Sequence, residues 1–379
     1  MKIGILTQPL ISNYGGILQN YALQTILKRE GFDPCTIQCA PIISNVTRVT
    51  SILKRCLLKY IFRRKIILRI FPTEKETAIM LQNIEPFMNK YIVQTKKYKK
   101  VILKKIKKYA FEAYIVGSDQ VWRPQYSPYL TNYFLDFLVG NNEVKKIAYA
   151  ASFGVDNWEF TTEQTKNCAA LAKQFDAISV REDSAIELCK KYLDVDAIQV
   201  LDPTMLLKKE DYTDLVKQDN IPERENILFN YILDKSDEKN IIVETIIKES
   251  KLHPIYGALP YVFYLKKSKK DLSDCIFISV PEWIAGFRDA KFVMTDSFHG
   301  TVFSILFNKP FVVFANEDRG NTRLTSLLKM FNLEERLITS ADFDKKLFYL
   351  DYYEINKILE KERDKSITYL LNALNSHRS

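Results

Sequence analysis

The side chains best suited to chemistry lie in one stretch, KFVMTDSFHGTVFSILFNKPFVVF, from Lys291 to Phe314. Its His299 is one of three histidines in the chain, with His253 and His377. An imidazole gives or takes a proton near neutral pH, so it suits general acid–base work. Polar groups that could serve a ligand flank it: Asp296 and Ser297 before, Gly300 after. Asp296 or Ser297 can also cap the helix that follows, and that helix's unsatisfied N–H groups favour an anion. The plainer alternative makes His299 a cap-region residue satisfied by local hydrogen bonds.

Five further groups have the same character. In SNYGG, Asn13 and Tyr14 offer side-chain contacts, while Gly15 and Gly16 either let a backbone approach a ligand or make a tight turn. The pattern is neither a dinucleotide fingerprint nor a P-loop. In GSDQVWRP, Ser118 and Asp119 suit the hydroxyls of a sugar-like substrate, Gln120 stands beside them, and Trp122 is a stacking surface or core. Arg181 could hold a carboxylate or phosphate in fork geometry, or pair with Glu182 or Asp183. Asp202 opens the run Asp202-Pro203-Thr204, and the loop ANEDRGNT brings Arg319 and Asn321 just ahead of Arg323.

Almost every one of these groups closes an expected strand. Strands are read at Lys2 to Thr7, Asp33 to Cys39, Ala110 to Val116, Lys146 to Ser152, Asp176 to Val180 and Ala197 to Leu201. A second series runs through Asn226 to Leu233, His253 to Tyr256, Lys291 to Met294 and Phe311 to Phe314. Helical patterns at Ile17 to Glu30, Thr162 to Gln174, Asp237 to Ser250, Pro281 to Phe287, Thr301 to Phe307, Arg323 to Phe331 and Tyr352 to Leu374 alternate with them. Such alternation predicts parallel sheets with right-handed crossovers, and these bind ligands at the C-terminal ends of their strands. The reading is an α/β chain of two Rossmann-like domains facing a cleft, residues 1–207 and 208–350, with a linker between Leu207 and Arg224. A basic insert falls at about 48–108, and a terminal helix within 351–379 packs back on the first domain. Gln19, Asn20 and Gln24 are expected on a helix face turned to the cleft.

The 379 residues, 47% hydrophobic and 27% charged, can bury substantial cores. The net charge of +9 is concentrated between Arg48 and Lys108, where only Glu74, Glu76 and Glu85 oppose it. Within it, SILKRCLLKYIFRRKIILRIF (Ser51 to Phe71) is basic and amphipathic: a helix on an anionic membrane surface, or a surface helix whose lysines snorkel over an ordinary core. Nucleic acid is disfavoured, because no recognition motif accompanies the charge. Six cysteines lack a second close pair for zinc, so buried thiols are expected. With no leader pattern and no uncharged apolar run of spanning length, a cytoplasmic protein is expected, peripheral at the membrane's inner face if the amphipathic stretch binds it.

Taken together, SNYGGILQNYALQ, VGSDQVW, ISVRE, VLDPTML and TDSFHGTVFSILFNKPF resemble the polysaccharide pyruvyl transferase family, from the first strand to about Arg336. The resemblance implies a fold like the two-Rossmann (GT-B) glycosyltransferases. It also implies transfer of pyruvate from phosphoenolpyruvate to a saccharide, usually as a ketal, with no redox cofactor. By position it makes His299 the general acid or acid/base, Arg181 the donor-binding cation and Asp119 a base for the acceptor hydroxyl. Several studied members carry Arg two residues before the motif histidine; here Ser297 stands there, so either Arg323 or Arg319 replaces that cation or the donor differs. Two other readings compete: a nucleotide-sugar glycosyltransferase, and a non-catalytic binding protein that keeps the fold.

Overall fold

The computed structural model describes residues 1–40, 52–54, 56–61, 63, 74–127, 129–234, 236–257, 275–315, 321–338 and 344–376. Arg319, His377 and most of the stretch from Ser51 to Phe71 therefore lie outside the described residues.

β1 (Lys2–Leu6) feeds α1 (Tyr14–Arg29), which returns to β2 (Asp33–Thr36). Gly31, at φ +80°, sits just past the helix, where the left-handed conformation favours glycine. α2 (Glu74–Leu81) and α3 (Glu85–Tyr91) precede β3 (Ala113–Val116) and β4 (Lys145–Ala151). α4 (Thr162–Ala172), β5 (Ala177–Val180), α5 (Ser184–Leu188) and β6 (Ile198–Gln199) complete the first sheet. Thr161 caps α4 in a reciprocal box with Gln164.

The residues read as a linker hold a helix, α6 (Lys209–Gln218), with Tyr212, Leu215 and Val216 buried. The second sheet follows through β7 (Ile227–Tyr231), α7 (Asp237–Ser250), β8 (His253–Tyr256), α8 (Val280–Asp289) and β9 (Ala290–Thr295). α9 (Phe298–Leu306), β10 (Phe311–Phe314), α10 (Thr322–Met330), β11 (Leu337–Ile338) and α11 (Tyr353–Asn375) end the chain.

Both sheets are parallel, and both have the same topology. The first runs β2-β1-β3-β4-β5-β6 and the second β8-β7-β9-β10-β11. Each therefore reverses direction of growth beside its first strand, between β1 and β3 and between β7 and β9. Ligands of open α/β sheets bind outside the strand C-termini at such a switch point. The central strands are buried on both faces, as in β3 and β7, which is why they read as continuous apolar runs.

The two sheets share one hydrophobic core: Ile3, Ile5, Ile17 and Leu23 belong to the same cluster as Phe229, Trp283, Val293 and Phe303. Tyr14 crosses between them, stacked on Trp283 with ring centroids 5.4 Å apart, its hydroxyl donating to Ile278 O at 2.9 Å. α11 lies against the first sheet: Leu201 N donates to Ser366 Oγ at 3.0 Å, and Arg363 Nε donates to Met205 O at 2.8 Å.

Three local expectations need correction. α1 starts at Tyr14, not Ile17, so Gly15 and Gly16 are in its first turn rather than in a loop. Gln19, Asn20 and Gln24 do not face the cleft: all are fully buried. Gln19 donates to Thr7 Oγ1 at 2.9 Å and accepts from Ser118 N at 3.2 Å, while Gln24 donates to Thr36 Oγ1 at 2.8 Å. Their amides satisfy strand-end groups that would otherwise be buried unpaired. The thiols also differ: Cys168, Cys189 and Cys275 are buried, whereas Cys35, Cys39 and Cys56 are only half-buried.

Candidate active site

A cavity of about 890 Å³ opens where the two switch points meet. Its wall includes Asn13, Asp119 and Gln120 from the first half and Ser297, His299 and Arg323 from the second.

His299 owes its position to a sequence of local contacts. Thr295 Oγ1 donates to Tyr231 O at 2.9 Å and accepts from Ser297 N at 3.0 Å. Ser297 then caps α9, its Oγ accepting from Gly300 N at 3.4 Å. The helix begins at Phe298, three residues before the expected Thr301, so His299 lies in its first turn. A Cβ on Gly300 would meet Thr295 Oγ1 at 2.1 Å, so only glycine lets the turn sit this close to the strand.

Across the cleft, α1 presents Gly15 to the imidazole: a Cβ there would stand 2.0 Å from His299 Nδ1. On the other side of the ring, Nε2 faces Asp202 Oδ2 at 3.6 Å, an ion-pair distance rather than a hydrogen bond. His299 is thus wedged between a glycine backbone and a carboxylate.

Asp202 is fully buried behind the cavity wall. Its Oδ1 accepts from Thr204 N at 3.0 Å and Thr204 Oγ1 at 2.7 Å. Its Oδ2 accepts from Arg181 Nη1 at 3.1 Å and Ser118 Oγ at 3.0 Å. Burial pushes this carboxyl up, but His299, Arg181 and Thr204 together hold it well below the usual carboxylate range. Asp202 is therefore ionised and positions the imidazole rather than touching a ligand.

Arg181 is a second correction. Its side chain is 2% exposed and lies off the cavity, over the Phe298 ring at 4.2 Å. Besides Asp202 it has Asp119 Oδ1 at 3.6 Å and Glu182 Oε2 at 4.0 Å. It neutralises buried carboxylates; it is not placed to grip a donor. Glu182 is also no ligand group: its Oε1 accepts from Ser152 Oγ, Phe153 N and Gly154 N at 2.8–3.0 Å. Asp296 is likewise engaged, accepting from Leu233 N at 2.7 Å, Asp234 N at 3.0 Å and Lys239 Nζ at 2.9 Å. Ser118 faces Asp202, and Tyr14 is spent on the Trp283 contact. Gly16 packs on the Asn13 side chain and Gly300 on Thr295.

Of the groups named from the sequence, few are left to the cavity, whose wall also carries Gln8, Lys99, Gln125, Asn132 and Asp296. Asp119, at φ +72°, accepts from Gln120 N at 2.9 Å and from Asn13 Nδ2 at 3.4 Å. Arg323, half-buried near the start of α10, supplies a cation at the wall. Burial, then the charge of Arg181, pulls its guanidinium down to about 10, so it stays charged at neutral pH. Asn321 precedes α10 at its N-cap position. Trp122 is core, stacked on Phe134 at 4.8 Å. Tyr126 and Tyr129, not singled out from the sequence, line the cavity from the connection after β3 together with the buried Tyr133; the Tyr-rich run there is the available signal. Among the described residues no cluster of His, Cys, Asp and Glu could hold a metal ion, and no helix is long and apolar enough to cross a membrane.

Two like-ordered parallel sheets meeting at a polar cleft define a two-Rossmann, GT-B-type α/β protein. The sequence matches the family described as polysaccharide pyruvyl transferase over residues 13–318, and the chain belongs to that family. No curated protein matches it. Solved structures of similar fold include a UDP co-structure of S. aureus MnaA, with 14% identity, TM-score 0.49, and coverage of 100% of this chain and 99% of that one. Another is the UDP-GlcNAc 2-epimerase of Neisseria meningitidis, with 8% identity, TM-score 0.48 and 99% of each chain covered. A glycosyltransferase from Rickettsia africae gives 12% identity and TM-score 0.43, covering 98% of this chain and 94% of that one.

Proposed function

We propose that the protein transfers pyruvate from phosphoenolpyruvate to two hydroxyls of a polysaccharide or lipid-linked saccharide precursor, forming a cyclic ketal. The observation that carries this is the fixed imidazole: His299 stands between Gly15 and the ionised Asp202, at the wall of a cavity that also bears Arg323 and Asp119.

The donor brings a phosphate and a carboxylate, and Arg323 is the cation that would bind them in fork geometry. This assigns to α10 the task first given to Arg181. His299, held against Asp202, delivers a proton to the enol CH₂. C2 becomes cationic as the methyl group forms. A saccharide hydroxyl attacks C2, and Asp119 takes its proton. The C2–O bond to phosphate then breaks, the electron pair leaving with phosphate, and the second hydroxyl closes the ring. Of the two hydroxyl protons, one makes good the proton given to carbon and the other leaves with phosphate. The chemistry needs no redox cofactor.

The test is phosphate release from phosphoenolpyruvate by the full chain with pooled glycan and lipid-linked acceptors. Acceptor-dependent release should fall about a hundredfold to ten-thousandfold in His299→Ala. Release that persists at full rate in the folded variant would overturn the assignment of His299. A heat-shift response to uridine or guanosine diphosphate, with none to phosphoenolpyruvate, would overturn the donor.

A further inference from the structure

The cavity is far larger than a three-carbon donor fills, and one part of its wall plays no role in the chemistry above. That part is the segment after Gln120. Tyr126 and Tyr129 line the cavity and yet remain 39% and 40% exposed. Rings this open at a concave wall are what a stacking ligand covers.

They are also held in place. The Arg123 guanidinium lies 5.2 Å from the Tyr126 ring centroid. Arg123 is itself fixed by two 3.2 Å hydrogen bonds to the Glu159 carboxylate and one, also 3.2 Å, to Gln120 Oε1. Lys100 Nζ stands 5.5 Å from the Tyr129 centroid. Gln8 ties the segment to the end of β1, its Nε2 donating to Gln120 O at 3.0 Å and Ser127 Oγ at 2.8 Å. The cations occupy one face of each ring electrostatically, and preorganised rings lose little entropy on binding. Tyr126 is near enough to Arg323 for the two to interact electrostatically, which puts this wall beside the donor end. Asp119 lines the same cavity, so a sugar stacked here shares it with that carboxylate.

We infer that Tyr126 and Tyr129 form the acceptor subsite, a platform on which a pyranose ring stacks through its C–H face. The acceptor role rests on the transfer reaction proposed above; the binding of a pyranose does not.

The probe is a set of simple methyl pyranosides of glucose, galactose and mannose, read by saturation-transfer NMR on the full chain. The wild type should transfer saturation to ring C–H protons of at least one of them. The Tyr126→Ala/Tyr129→Ala double variant should show about tenfold weaker transfer, and the Tyr126→Phe/Tyr129→Phe variant should retain it, since stacking needs the ring and not the hydroxyl. A phosphoenolpyruvate-induced melting shift equal in all three proteins would show that the donor end and the fold are intact. No transfer in the wild type, or equal transfer in the alanine variant, would overturn the subsite. Pyranoside transfer that depends on the rings, without any melting shift from phosphoenolpyruvate, would support the subsite and count against the donor.

Discussion

Gly15 and His299, 284 positions apart in the chain, meet so closely that a methyl group on the first would lie 2.0 Å from Nδ1 of the second. The contact joins the first turn of α1 to the first turn of α9, one element from each sheet. It gives Gly15→Ala a specific expectation. The backbone at Gly15 is helical and accepts alanine, so the cost falls on the imidazole. Overpacking of this kind costs about 1–3 kcal/mol. Displacing a reacting group by about 1 Å costs on the order of a hundredfold in rate. Turnover and melting temperature measured together check this; full turnover in the alanine variant would show that His299 is not the proton donor.

Asp202 makes stability depend on pH in a defined direction. Its folded-state carboxyl lies below the unfolded value of about 3.9, so below that value the unfolded chain binds the extra proton. The stabilisation is present above the unfolded value and is lost as pH falls through the folded one. Asp202→Asn should flatten this acid limb in urea titrations run from about pH 5 downward. It should also destabilise the protein at pH 7 by about 3 kcal/mol, because Arg181 loses its closest anion. An unchanged acid limb would mean that other carboxylates govern it.

Much of this was legible in the chain, and the exceptions have one cause. The strands other than β11, together with α7, follow from local patterning, and the place of His299 from its strand-to-helix corner. For Arg181 the sequence leaves a ligand grip and a carboxylate pair equally open, because a strand-end arginine looks the same in both; Asp202, 21 residues on, supplies the pair. Gly15 and Gly16 read as a loop because nothing local announces that a histidine from the far half fills the space of the missing Cβ at Gly15, or that the Asn13 side chain packs on Gly16. Gln19, Asn20 and Gln24 looked like cleft residues because their partners, Thr7, Thr36 and Ser118, are set by the sheet and not by the helix.

Arg323 should be the donor's electrostatic anchor. At pH 7 the folded state carries the cost of burying a cation and of placing it beside Arg181, and a bound dianion offsets that cost. Phosphoenolpyruvate should therefore raise the melting temperature of the wild type and leave Arg323→Gln unmoved, while Arg323→Lys restores only part of the shift because an ammonium lacks the fork. An equal shift in the glutamine variant would remove Arg323 from the donor site.

The basic stretch gives a separate expectation. In its described part Ile52, Leu53, Leu57, Tyr60 and Ile61 are exposed, and Lys54 and Lys59 accompany them. We propose that Ser51 to Phe71 binds an anionic lipid surface. Vesicles containing phosphatidylglycerol should sediment the full chain and not a variant lacking these residues, with retention weakening as salt rises. Equal sedimentation of the two proteins would assign binding elsewhere, and no sedimentation of either would end the idea.

The hydrogen bond from Leu201 N to Ser366 Oγ has a consequence for the order in which the molecule is made. The strands of the first sheet leave the ribosome before those of the second, but α11, which seals that sheet through Ser366 and Arg363, leaves after both. The half translated first is thus the half finished last. Until α11 has emerged, the nascent chain cannot offer the Leu201 amide the Ser366 hydroxyl that it has in the folded protein.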